Sequence, residues 1–258
     1  MTQDRHLTLT QHLAELRQRL IYSLITLLIF FIISYLFAKD VYSFLLQPLL
    51  KAYQEHSGNI DSESINKRII YTGLAEAFIT YIKLSFLTAV FFALPIIIVQ
   101  FYLFIAPGLY KSEKKITLLI LSACPVLFII GAALAYYLVF PLAFKFFLSF
   151  ESFDNQYSIP IELEARISEY LTISIQLIFA FGIAFQLPIL LIFLVKAGVV
   201  KISTLKSKRK YWILVIFIIA AILTPPDIFS QIALALPMLL LYETAIIIAS
   251  KITKKPGI

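Results

Sequence analysis

Six apolar stretches set between charged loops constrain this chain more than any other feature. They run at about Leu20–Ala38, Leu74–Ile98, Ile116–Phe140, Leu171–Val195, Trp212–Thr224 and Ile228–Tyr242. Lipid offers a backbone no hydrogen-bond partners, so such segments cross a bilayer as helices. The expected fold is an all-α integral membrane protein with six transmembrane helices, the last two of them short. Of the 22 Lys and Arg, 15 fall in loops of one parity: three in the N-terminal arm, three between spans two and three, six between spans four and five, and three in the tail. Basic residues are retained on the cytoplasmic side or its topological equivalent, so both termini are expected there.

Composition agrees with a lipid solvent. Mean hydropathy is +0.91 and only 14% of residues are charged, against about 25% in globular domains. The net charge of +7 would suit a nucleic-acid binder in a soluble protein. Here the basic inside loops facing anionic lipid account for it, and no nucleic-acid partner is expected. Cys124, the single cysteine, excludes an intramolecular disulfide. The first twenty residues hold Asp4 and Glu15 and lack a small-residue cleavage site, so no cleaved signal peptide is expected. The whole chain reads as one membrane domain, with residues 1–19 as a surface arm and 251–258 as a short basic tail. No internal repeat is visible.

Two elements depart from a generic bundle. In the arm, Leu9, Leu13, Leu16 and Leu20 recur at helical spacing, which predicts an amphipathic helix running into span one. Thr8 and Gln11 have capping-box spacing, and Glu15 and Arg19 can pair at i and i+4. The second departure is the final pair of spans, 13 and 15 residues long. At about 1.5 Å per residue neither matches a hydrocarbon core of about 30 Å without bilayer thinning or oligomerisation. Between them Pro225 and Pro226 end span five, and Asp227 is placed to cap span six.

Four strings then give a specific resemblance: HLAELRQRL before span one, FIAPGLYKSEKK after span two, FPLAFKFF after span three and LTPPDIFSQIALALPMLLLYE across the last hairpin. In this order, over roughly residues 10–245, they resemble TatC, the multi-spanning receptor subunit of the twin-arginine protein translocase. The resemblance implies binding of signal peptides that carry paired arginines. It also implies recruitment of single-span partner subunits of the TatA and TatB type, in homo- and hetero-oligomers, with no cofactor and no enzymatic activity.

A guanidinium matches a carboxylate bidentately where Lys offers a point charge. A receptor that requires Arg should therefore present carboxylates on the inside surface. Only Asp4, Glu15 and Glu113 stand there among the basic residues, and Glu15 and Glu113 lie in the matching strings. By the same resemblance Leu16, Arg17, Phe104, Tyr110 and Lys111 line the site, and Pro48 matches a family position. Simpler roles exist. Glu15 can pair with Arg19, Glu113 can favour the dipole of span three, and Pro48 can act as a helix breaker in a loop.

Polar residues within or beside the spans come next. Glu76 and Lys83 lie seven apart on span two, too far to pair directly. Pro188 frees the carbonyl of Ala184, which the amide of Gln186 could satisfy. Many bacterial members of the resembled family carry a glutamate at that position. Thr224, Gln231, Glu243 and Gln186 are candidate docking sites for partner helices.

Other classes fit less well. A small-molecule or ion transporter should show paired broken helices or a polar midplane site, and only Gln186–Pro188 hints at one. An enzyme would need converging catalytic groups. His6, His12 and His56 lie outside the spans, and neither HExxH nor GxSxG occurs. Richness in Ile, Phe, Tyr and Lys, with few Arg and Gly, fits an AT-rich genome. It favours a plastid thylakoid membrane, with a bacterial plasma membrane or mitochondrial inner membrane as alternatives.

Overall fold

The computed structural model describes residues 9–56, 69–105, 111–151, 163–196, 198–224 and 227–253. Among them the chain forms ten α-helices, one π-helical turn and a single isolated β-bridge. The first four helices are α1 (Leu9–Leu36), α2 (Ala38–His56), α3 (Glu76–Ile105) and α4 (Lys111–Leu134). A π turn at Ala135–Val139 leads into α5 (Phe140–Leu148). Then follow α6 (Ile167–Ala184), α7 (Leu187–Lys196), α8 (Ile202–Ser207), α9 (Arg209–Leu223) and α10 (Ile228–Thr253). Five helical stretches are long and apolar enough to cross a bilayer: Thr10–Leu36, Glu76–Phe101, Ser122–Leu148, Ile167–Lys196 and Ile228–Lys251.

The chain divides into two compact units. One comprises residues 1–38 and 85–125, the other residues 39–84 and 126–258. In the first, the arm and span one are a single 28-residue helix, because no Gly or Pro interrupts the leucine-rich run. Thr8 of the expected capping box lies outside the described residues. Most apolar side chains of α1 are exposed, Leu13, Leu20 and Leu24 among them. Phe30 stacks near Phe92 at 6.3 Å between ring centroids. Ala89 and Ala93, one turn apart on α3, are fully buried.

The second unit holds the larger core, drawn from α2, α5 to α10 and the π turn. Two glycines set its tightest approach. A Cβ on Gly131 of α4 would lie 2.5 Å from the Phe181 carbonyl oxygen of α6, and one on Gly182 would lie 2.4 Å from the Phe128 ring. Small residues let membrane helices approach closely enough for dispersion to act where water exclusion cannot. The π turn precedes Pro141. The Phe140 N–H reaches back five residues to the Ala135 carbonyl, a register change that leads the chain into a helix start where the missing proline N–H costs little.

Three expectations need correction. The last helix is not short: α10 has 26 residues and runs eleven positions past Tyr242. Glu243 does not end it, because its carboxylate pairs with Arg209 at 2.8 Å and the apolar run Ala245–Ala249 follows. Only α9, with 15 residues, remains too short for a full bilayer, at about 22 Å. Second, the sequence predicts capped short helices over Lys39–Gly73, but among the described residues of that segment the helix is the single 19-residue α2. Third, Pro48 is no loop breaker but lies buried inside α2. Its missing N–H leaves the Phe44 carbonyl without its helical donor, and the Tyr136 hydroxyl donates to that oxygen at 2.8 Å. The Phe44 and Tyr136 rings stack at 4.4 Å. The Tyr170 hydroxyl donates to the next carbonyl, that of Leu45. On the same helix, burial pushes the phenols of Tyr42 and Tyr53 up to about 12.

Candidate functional site

Helical spacing brings Glu15 and Arg19 onto one face of α1, and the expected pair forms at 3.3 Å. Arg19 does more than that. Its Nη2 donates to Glu15 Oε1, while its Nη1 donates at 3.3 Å to Oε1 of Gln100, on α3. The Glu15 and Arg19 side chains keep 23% and 27% of their exposure. A cavity of about 20 Å³ lies beside them, lined by Leu16, Arg19, Leu20, Ser23, Gln100, Phe101 and Phe104; that is room for one water molecule. Phe104 stacks on His12 at 4.4 Å, which ties the start of α1 to the end of α3. On the open side of α1, Leu13, Leu16, Arg17, Leu20, Ile21 and Leu24 line a shallow apolar depression of about 290 Å³.

Of the residues singled out in the sequence, Glu15, Leu16, Arg17 and Phe104 fall in this neighbourhood. Lys111 and Glu113 stand in the first turn of α4, but their side chains lie outside the described residues, as does Tyr110 altogether. Gln100 and His12 were missed as site residues. Gln100 carried a signal, as a lone amide in the run Ile96–Ile105. Its partner is 81 residues away, which spacing cannot reveal.

The hairpin residues each donate a hydrogen bond inside the fold. Thr224, buried, donates through its hydroxyl to the Ala220 carbonyl at 2.9 Å. The amide of Gln231 donates to Phe217 O at 3.3 Å, and that of Gln176 to Leu223 O at 3.2 Å. A helix end leaves its last carbonyls without intrahelical donors, and Gln176 and Thr224 serve the end of α9. Asp227, 3% exposed, caps α10 as expected: its Oδ1 accepts from the Ser230 N–H at 2.6 Å. Pro225 and Pro226 lie outside the described residues. We expect Asp227→Ala to lower unfolding stability by about 1–2 kcal/mol and Asp227→Asn to retain it, as read by thermal unfolding in detergent.

The amide of Gln186 donates to the Gly182 carbonyl at 3.3 Å. The helix breaks at Phe185–Gln186, where the Gln186 N–H turns to Ile183 O, so Gly182 O needs another donor. Glu76, too far from Lys83 to pair with it, finds other partners. It begins α3, where its Oε2 accepts from the N–H groups of Thr72 and Gly73 at 2.8 and 3.1 Å. Ser168 donates to its other oxygen, and Arg166 lies 3.6 Å away. Beside this cluster Ile70 and Arg166 form the isolated bridge. Glu76 is thus a fastener between two loop segments of its unit.

Five apolar helical stretches of bilayer length define a polytopic membrane protein. A family profile described as Sec-independent protein translocase protein (TatC) matches residues 11–237. The Sec-independent protein translocase protein TatC of Rickettsia prowazekii is 52% identical over 240 residues, covering 93% of this chain and 91% of that protein. An uncharacterized tatC-like protein of Reclinomonas americana is 38% identical, covering 94% and 87%. A crystal structure of the twin-arginine translocase receptor TatC in DDM superposes with a TM-score of 0.72 at 39% identity, covering 92% of this chain and 99% of that one. The chain belongs to the TatC family. It is an integral membrane component of the Tat protein translocase, a family of transport subunits and not of enzymes.

Proposed function

We propose that this chain is the receptor subunit of its translocase, binding twin-arginine signal peptides of folded passengers through Glu15 and Glu113. Leu16, Arg17, Phe104, Tyr110 and Lys111 complete the surface. The observation that carries the reading is the Glu15 carboxylate itself. It is an acid among basic residues, partly exposed, and already held by a guanidinium at 3.3 Å. A signal peptide also carries an apolar stretch, and the depression along Leu13, Leu20 and Leu24 offers it a surface one turn away. Pro48 is accounted for within α2 by the Tyr136 bond and needs no peptide contact to explain it.

The proposed topology keeps six spans, α9 included, with both termini on the cytoplasmic side. Single-span partners of the TatA and TatB type dock at the hairpin edge. Thr224, Gln231 and Gln186 each donate internally, and a partner's polar group would be met through their side-chain oxygens, the second amide N–H of each glutamine and Glu243. Relatives from Rickettsia, Magnetococcus and Aquifex support a bacterial plasma membrane over the thylakoid favoured by composition.

Crosslinking the detergent-solubilised protein to peptides carrying Arg-Arg or Lys-Lys tests the reading. Contact that falls about tenfold or more for Lys-Lys, and likewise for Glu15→Ala or Glu113→Ala, is expected from loss of a bidentate charged pair. Equal labelling by both peptides, or labelling untouched by either substitution, would overturn Glu15 and Glu113 as the signal-binding carboxylates.

A further inference from the structure

Resting on Glu15 as a peptide ligand, we propose that Arg19 is an internal competitor for the signal arginine: it occupies the Glu15 carboxylate in the unliganded protein and withdraws onto Gln100 when a signal docks. Three observations carry this. Arg19 is chemically the same group as the proposed ligand, a guanidinium on a flexible stem. It touches only Oε1 of Glu15, at 3.3 Å, a long contact that an incoming fork can displace. And it holds a second acceptor at the same time, Oε1 of Gln100 at 3.3 Å, so displacement does not leave it without a partner. The adjoining cavity of about 20 Å³ gives the side chain a little room in which to shift.

The competitor sets a threshold and leaves selectivity untouched. A pre-formed internal pair lowers the apparent affinity of every ligand by the same factor, the fraction of receptor with Glu15 available. Surface pairs at this spacing are weak, so the factor is modest, about two- to fivefold.

Equilibrium binding of Arg-Arg and Lys-Lys peptides to the detergent-solubilised full chain tests this with three variants. Arg19→Gln is expected to tighten both peptides by about two- to fivefold, with the Arg-to-Lys preference unchanged. Gln100→Leu, which alters no charge, is expected to weaken both, because the Nη2 released from Glu15 then has no Gln100 Oε1 to turn to beside the Nη1 bond already made. Arg19→Lys, which keeps the charge and an aliphatic stem, falls between wild type and Arg19→Gln and serves if the glutamine variant does not fold. A purely positioning role for Arg19 would weaken Arg-Arg binding in Arg19→Gln and erode the preference, which overturns the proposal. A general charge effect would tighten binding in Arg19→Gln but leave Gln100→Leu at wild type, which also overturns it. Glu15→Gln separates the two levels. If it leaves peptide binding intact, the receptor reading fails. If it abolishes binding while Arg19→Gln fails to tighten it, only the competitor is lost.

Discussion

Gly131→Val should yield no stably folded protein. A Cβ at this position stands 2.5 Å from the Phe181 carbonyl oxygen and 2.9 Å from its carbon. Both atoms belong to the backbone of α6 and cannot swing aside without moving the helix. Overpacking a core typically costs about 1–3 kcal/mol when side chains can adjust, and here the obstacle is main chain. Gly131→Ala should already lower the melting temperature in detergent by several degrees, and Val should abolish the monodisperse peak on size exclusion. Gly182→Ala provides the contrast. Its Cβ would meet the Phe128 ring, at 2.4 Å, so pairing it with Phe128→Leu should restore much of the loss. No side-chain change should rescue Gly131→Val. Wild-type melting for that variant would mean that α4 and α6 do not approach as described.

Tyr136→Phe is the second large effect, and its remedy lies 88 residues away in the sequence, at Pro48. Removing the hydroxyl leaves the Phe44 carbonyl with neither a helical N–H, which Pro48 lacks, nor its side-chain donor. For this part-buried carbonyl the loss falls toward the lower end of the roughly 1–3 kcal/mol that an unpartnered buried group costs. Pro48→Ala restores a backbone N–H at the helical position, so the double variant should recover most of the stability lost by Tyr136→Phe alone. The two substitutions should therefore be strongly non-additive in unfolding measurements. Simple additivity would show that Tyr136 and Pro48 do not share that oxygen.

The long helices could be read from hydropathy because the bilayer demands twenty or so apolar residues whatever they pack against. The misreadings came where one residue was judged without its partner. Span six looked complete at Tyr242, yet Arg209 neutralises Glu243 and the helix continues. Pro48 looked like a breaker, yet a tyrosine from another helix supplies the donor it lacks. Local chemistry was legible at Asp227 and in the Glu15–Arg19 pair, because caps and i,i+4 pairs are set within one turn. Gln100 with Arg19, and Glu76 with Arg166 and Ser168, join residues 81 to 92 positions apart. Only the fold brings those together.

The interruption at Phe185–Gln186 divides the fourth span into two rods that share a neighbour. The longer, α6, lies against α9, α10 and the π turn, while α7 is packed chiefly on α10. At the junction the Gln186 N–H turns to Ile183 O and its side-chain amide donates to Gly182 O at 3.3 Å. Bending at such a break sacrifices less than bending a continuous helix. Because α10 touches both rods, it is the element through which a displacement of one is passed to the other.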